Sequence, residues 1–298
     1  MNLSKSFVKS PYNADKNIMM DILLTLLVIM IAGAYYFGYR AIMVTLVCVV
    51  FAIISELALK YFVKKEELTY DFNTVIYAVI LSFFMPANSP LWVVVIGGVL
   101  LVTVRWLLEE KARYCFTNAA LATAGVLNLA FFVFLKNQPH PFSKLQLISA
   151  EASSVVESPR TFLNLLIGRA PGAIGTTCLV AILLCGAYLA WRKIISWETP
   201  LCYVVVCAVL GALLWRGYNG LFIEGMAFAA VYGMSDFCED KRDLYSKLTY
   251  VAGCGILTVL VWYITGFVGS ACLSIAVVDT ALYLWYEFSP SILEKLKK

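Results

Sequence analysis

"PGAIGTTCLVAILLCGAYLAWRK", residues 171–193, decides how this chain is read. Two glycines and two threonines open the stretch, an apolar run follows, and a basic pair closes it. An apolar run that ends in positive charge is the pattern of a helix that crosses a membrane and stops at a charged face. The polar opening carries a second expectation. The first turn of a helix gathers unpaired backbone amides and the positive end of the helix dipole. Gly172, Gly175, Thr176 and Thr177 would sit there, with glycines that permit close approach and hydroxyls that donate or accept. They are candidates for holding a phosphate, a ribityl chain or ring carbonyls. The alternative reading of the same residues is a Thr cap, with the glycines present for packing.

Composition extends the membrane reading to the whole chain. Of 298 residues, 61% are hydrophobic and 14% charged, with a mean hydropathy of +0.82. Soluble domains carry about 25% charged residues. The apolar residues fall into ten candidate spans, at 17–37, 40–61, 72–86, 91–108, 117–135, 173–191, 197–215, 218–234, 245–264 and 267–287. The expected fold is therefore all-α, a polytopic membrane protein of about ten transmembrane helices. The polar, basic start "MNLSKSFVKSPYNADKN" precedes a full-length span with no small-residue cleavage site, so the first helix is expected to be retained.

Charge placement orients these spans. With the N-terminus in the cytoplasm, 17 of the 23 Lys and Arg residues fall on the inner side and six on the outer. The positive-inside rule then puts both termini in the cytoplasm and the long loop, 136–170, outside. Three regions follow: an N-terminal five-helix repeat (1–135), an extracytoplasmic loop (136–170) and a C-terminal five-helix repeat (171–298). The two halves echo each other at an offset near 150 residues. Gly33-Ala34-Tyr35 answers Gly186-Ala187-Tyr188, and short third and eighth spans end at "MPANSP" and "YGMSDFCED". Five spans is an odd number, so the second copy is expected to be inverted, an architecture that places binding sites at the repeat interface.

Little else in the chain is chemically pointed. The nine cysteines contain no Cys-x-x-Cys pair and lie mostly in apolar spans, so they read as small buried hydrophobes rather than metal ligands. His140 is the single histidine, between Pro139 and Pro141 in the outer loop. A Ser/His/Asp constellation and a phosphate-binding P-loop are absent, and no catalytic or metal residue is assigned. Nucleic acid is not an expected partner. Among ionisable residues at or within spans (Asp21, Glu56, Arg105, Glu224, Asp279), Asp279 lies deepest and suits either an ion pathway or a structural hydrogen bond.

The same motifs carry a family resemblance. Gly172-Ala173-Ile174-Gly175-Thr176-Thr177-Cys178 is similar to a Gly-Ser-Ile-Gly-Glu-Thr-Ser stretch that precedes an apolar helix in the RnfD and NqrB proteins. These are membrane components of the Rnf and Nqr complexes, the ion-translocating ferredoxin:NAD and NADH:quinone oxidoreductases. The opening, with its Ser-Pro, Met-x-Asp helix and "GAYYFGY", resembles the family's start. Asp71 and Thr74 match its Asp-Gly-Ser/Ala third helix, and Ser235-Asp236 its Ala-Thr-Asp segment. The resemblance runs nearly end to end.

It implies a multi-pass component of a bacterial cytoplasmic (inner) membrane that carries electrons through a bound flavin, FMN or riboflavin. Implied partners are other membrane subunits of the complex, an extracytoplasmic flavoprotein and the lipid bilayer. Implied flavin contacts are Gly172, Gly175, Thr176 and Thr177, with Asp71, Thr74 and Asp236 at the short repeat-related helices. Family members also attach FMN covalently to the threonine of a Ser-Gly-Ala-Thr motif. Here the outer loop reads "LQLISAEASSVVESPRTF", where Ser153 takes the threonine's place and Glu151 the glycine's, so a non-covalent flavin is the expectation. Two further departures are Thr176 for the family's Glu, and "EEKARYCFTNAA" for its Gly-Gly-Leu-Gly…Asn-Pro-Ala connection. A transporter or channel, or a non-redox scaffold on the same fold, are the alternatives these departures keep open.

Overall fold

The structure is a computed structural model that describes residues 16–64, 72–111, 118–135, 139, 166, 168, 172–214, 225–234, 244–265 and 269–281. Every regular element among the described residues is helical. The first half contains α1 (Lys16–Phe37), α2 (Tyr39–Leu59, continued by a π-turn at Lys60–Lys64), α3 (Phe72–Phe83), α4 (Leu91–Lys111), α5 (Ala119–Ala130) and the short α6 (Phe132–Leu135). The second contains α7 (Leu179–Trp191), α8 (Glu198–Leu213), α9 (Met226–Phe228, continued by a π-turn at Ala229–Gly233), α10 (Leu244–Thr265) and α11 (Ser270–Ala281). Three stretches, Asn17–Phe37, Tyr39–Phe62 and Lys247–Ile264, are long and apolar enough to cross a membrane, and six shorter apolar helices accompany them. The chain is thus built as a multi-pass membrane protein.

Helix ends follow from local chemistry. Gly38, at φ 72°, takes a conformation that side chains resist and so separates α1 from α2. Pro86 and Pro90 bracket the stop of α3 and the start of α4, and the Ser89 hydroxyl donates to the Pro86 carbonyl at 2.7 Å. At the start of α5, the Asn118 side chain accepts from the Ala120 amide at 3.1 Å and donates to the Tyr232 carbonyl at 2.8 Å. One residue therefore caps a helix in one half and holds the π-turn of the other.

Two packing relations recur in the two halves. α1 packs on α3 as α7 packs on α9, and α2 packs on α4 as α8 packs on α10. Across the halves, α1 and α7 run antiparallel. Asp21, early in α1, binds Arg192 at the end of α7 (2.7 Å) and accepts from Tyr188 (3.1 Å), whereas Gly33, late in α1, lies against Ile174 before α7 begins. The hydrogen bonds and charge of Asp21 raise the pKa of the Arg192 guanidinium further above its ordinary value. α5 and α11 are also antiparallel, because Gly125 faces Cys272 and Asn128 faces Gly269.

Glycines set the closeness of these crossings. A Cβ at Gly125 would lie 2.9 Å from the Cys272 carbonyl oxygen, and one at Gly98 would lie 2.9 Å from that of Cys48. Polar ties complete the core: Tyr203, Thr258 and Ser274 link α8, α10 and α11 at 2.8 and 2.5 Å, and Tyr250 donates to Asp279 at 2.7 Å. Asp279 thus takes part in a part-buried hydrogen bond. Because backbone sits opposite Gly125, Gly125→Leu is expected to cost about 1–3 kcal/mol through overpacking. It should lower the melting temperature in detergent more than Asp21→Asn, which removes a half-exposed ion pair.

Candidate functional site

The opening motif does not start the helix. The span expected from residue 173 begins helically only at Leu179, and residues 172–178 form a chain of turns. The reason is local. The Thr176 hydroxyl accepts from the Ala173 amide at 3.1 Å and the Thr176 amide donates to the Ala173 carbonyl at 3.2 Å, which closes a turn on itself in competition with helix. The next two amides leave the segment entirely. Ile174 donates to the Met85 carbonyl at 3.2 Å and Gly175 to the Phe83 carbonyl at 3.0 Å. These are acceptors at the exit of α3, where Pro86 prevents the helix from supplying partners of its own.

Packing fixes the turn in place. A Cβ on Gly175 would lie 2.4 Å from the Phe83 Cβ. A Cβ on Gly33 would meet the Ile174 oxygen at 2.8 Å, and one on Gly225 (φ +85°) the Thr176 methyl at 2.8 Å. Phe83 and Phe84 meet the Phe228 ring edge-on at 5.7 and 5.2 Å, and Phe228 stacks on Tyr232 at 4.7 Å. The loop therefore sits where α1, α3 and α9 converge, with residues 172–177 all buried.

These facts divide the expected contacts. The flavin that the resemblance implies presents acceptors: phosphate or ribityl oxygens and ring carbonyls. The amides of Ile174 and Gly175 do not fit that role, since α3 already engages them, and Phe83 fills the space that Gly175 leaves. Gly175 and Thr176 hold the loop's shape, and Gly172 is buried at its start. Thr177 does fit. It is only 3% exposed, yet no described group bonds its hydroxyl. Beside it, α7 opens with Cys178 as N-cap, whose side chain makes no capping bond, so the first-turn amides at Leu179 and Val180 lack an intrahelical partner. A hydroxyl without a described partner next to an uncapped helix start suits an acceptor-rich ligand edge.

The remaining expected contacts are not brought to this place. Thr74 lies at the other end of α3, roughly 14 Å of helix rise from Phe83. There its hydroxyl accepts from Arg105 Nη1 at 2.5 Å, with the guanidinium 5.7 Å over the Tyr77 ring. Asp71, Asp236 and Ser153 lie outside the described residues. Gly33, Phe83 and Gly225 are loop partners that sequence reasoning does not find, although Gly33 belongs to the repeated Gly-Ala-Tyr signal. Among the described residues no cluster of His, Cys, Asp or Glu could hold a metal ion.

Comparison with known proteins supplies context for this geometry. Residues 3–285 match the family model described as the NQR2, RnfD, RnfE family. The D subunit of a Na(+)-translocating ferredoxin:NAD(+) oxidoreductase complex from Acetobacterium woodii is 24% identical, covering 93% of this chain and 90% of the relative. The D subunit of an ion-translocating oxidoreductase complex from Methanosarcina acetivorans is 26% identical over 84% of this chain and 82% of its own. The B subunit of a Na(+)-translocating NADH-quinone reductase from Chromohalobacter salexigens is 26% identical over 63% of this chain and 50% of its own.

The Gly175–Phe83 contact yields a test of the loop. Gly175→Ala is expected to destabilise the protein by about 1–3 kcal/mol, read as a lower melting temperature in detergent. Phe83→Ala should not rescue it, because the clash is with the Cβ that alanine retains.

Proposed function

Because this chain belongs to the NQR2, RnfD, RnfE family, we propose that it is the membrane component of an ion-translocating oxidoreductase and passes electrons between partner subunits through a non-covalent flavin held at the start of α7. The observation that carries this reading is Thr177, a residue 3% exposed whose hydroxyl no described group bonds, beside the uncapped amides of α7. A flavin bound there would supply reversible electron storage. The chain's own residues do the holding: Gly175 and Thr176 brace the loop against α3, Thr177 and the first-turn amides meet the ligand's oxygens, and the surrounding aromatic cluster keeps water away. Asp71, Asp236 and Ser153 carry none of this argument.

The partners are other membrane subunits of the complex and an extracytoplasmic flavoprotein. The complex sits in the cytoplasmic membrane, with both termini of this chain inside and its 136–170 loop outside. Its two five-helix halves form an inverted repeat whose interface the 172–178 turn occupies. Ion movement belongs to the assembled complex. Its coupling to electron flow is supported by the names of the relatives, which are ion- or Na(+)-translocating oxidoreductases.

The test is an absorbance spectrum of the complex purified in mild detergent, before and after acid precipitation. The expected result is flavin absorbance that moves into the supernatant. Thr177→Val is expected to weaken flavin retention by about tenfold, the weight of one good hydrogen bond, while leaving the melting temperature of the flavin-free protein unchanged. Flavin retained in the pellet would indicate covalent attachment to an outer-loop hydroxyl such as Ser153. A colourless complex with all its subunits present would overturn the electron-carrying reading.

A further inference from the structure

The end of α7 takes a backbone conformation that its sequence does not favour. Lys193 has φ 57°, the one non-glycine residue at positive φ among those described. The Ile194 amide donates to the Leu189 carbonyl and the Lys193 amide to the Ala190 carbonyl, each at 3.0 Å. This pairing is the Schellman closure of a helix, whose left-handed position is usually glycine because any Cβ there is strained. Asparagine and aspartate tolerate the position better than lysine does. Packing does not account for the lysine: its side chain is exposed and no described group bonds its ammonium. A retained backbone strain of this kind points from the outlier to a use for the side chain.

The surroundings indicate the use. Arg192 is held side-on, its Nε and Nη2 both donating to Asp21 Oδ2 at 3.0 and 2.7 Å, so that its Nη1 is left without a described partner. Glu198, the next acid along the chain, makes no ion pair with either cation among the described residues. Trp191 (80% exposed) and Trp197 (63% exposed) flank the turn, and exposed tryptophans of this kind settle at the level of lipid headgroups. The exposed faces of α7 and α8 that lead up to the turn are apolar, through Leu184 and Leu201. The Lys193 ammonium and the Nη1 that the Asp21 pair leaves over on Arg192 thus sit between two exposed tryptophans in the chain, beside apolar helix faces.

We propose that the turn from Trp191 to Trp197 binds the phosphate of an anionic phospholipid, with Lys193 and Arg192 Nη1 as donors. A lipid headgroup fits better than a free anion because the apolar approach along α7 and α8 would take its acyl chains. The proposal rests on the membrane placement of α7 and not on the flavin.

The test uses the full chain in lipid nanodiscs of phosphatidylcholine with and without phosphatidylglycerol. Phosphatidylglycerol retention is read by native mass spectrometry, and thermal stability is followed in parallel. Lys193→Gln should retain about fivefold less phosphatidylglycerol, the effect of one interfacial charge, and Lys193→Arg should retain the wild-type amount. Lys193→Gly, which removes strain and charge together, should be more stable than wild type in pure phosphatidylcholine and gain less from phosphatidylglycerol. Equal retention by all variants would overturn the proposal. So would protection by inorganic phosphate alone equal to that by the lipid. A loss of partner subunits from Lys193→Gln with lipid retention unchanged would overturn it too, since the turn would then face an acidic protein surface.

Discussion

Two backbone hydrogen bonds hold this molecule's plan together: the Ile174 amide to the Met85 carbonyl and the Gly175 amide to the Phe83 carbonyl. α3 stops short at Pro86, and a helix that stops inside an apolar setting leaves carbonyls with neither a next turn nor water to satisfy them, at a cost of several kcal/mol per group. The loop before α7 has the complementary problem, a run of amides not yet in a helix. Each segment answers the other's need. With residues 174 and 175 held against α3 and a turn closed between Ala173 and Thr176, α7 begins at Leu179 and Thr177 is left at its threshold. Glycine at 175 is required because the Phe83 Cβ occupies the place its side chain would take.

Around this joint two pairs of helices, one member from each half of the chain, lie antiparallel. They are α1 with α7 and α5 with α11. Phe83 and Phe84 at the end of α3 meet Phe228 of α9, and these rings fill the space between the two short helices. Short helices that end within a membrane protein expose backbone dipoles to its interior, and such places serve for binding. The function proposed above follows from that physical situation together with the family to which the chain belongs.

Much of this is legible in the sequence. Composition and run length point to a polytopic helical protein, and the recurrence of Gly-Ala-Tyr at 33–35 and 186–188 marks helices that pair at the centre. The Gly-x-Ile-Gly-x-Thr stretch stands out, but its internal division is not visible there. Gly175 and Thr176 read as ligand contacts because nothing local reveals that Phe83, 92 residues earlier, fills one and that Ala173 engages the other. Thr74 groups with the loop through its helix, although that helix holds the two apart. Asn118 reads only as a departure from Asn-Pro, whereas it both caps α5 and grips the Tyr232 carbonyl. Most of these outcomes depend on long-range backbone contacts, which leave no periodic trace in a single sequence. The strained Lys193 leaves none either, since a lysine after an apolar run is ordinary.

The claim tested most directly is that electrons pass through this chain. The measurement is rapid-mixing absorbance of the complete purified complex, given a physiological reductant without oxygen and then its acceptor, compared with a complex that carries Thr177→Val in this chain. The account predicts that part of the flavin absorbance bleaches and recovers in the wild-type complex, and that this part is diminished in the variant while the rest of the complex reduces normally. Identical flavin transients in both complexes, with flavin content unchanged, would contradict it.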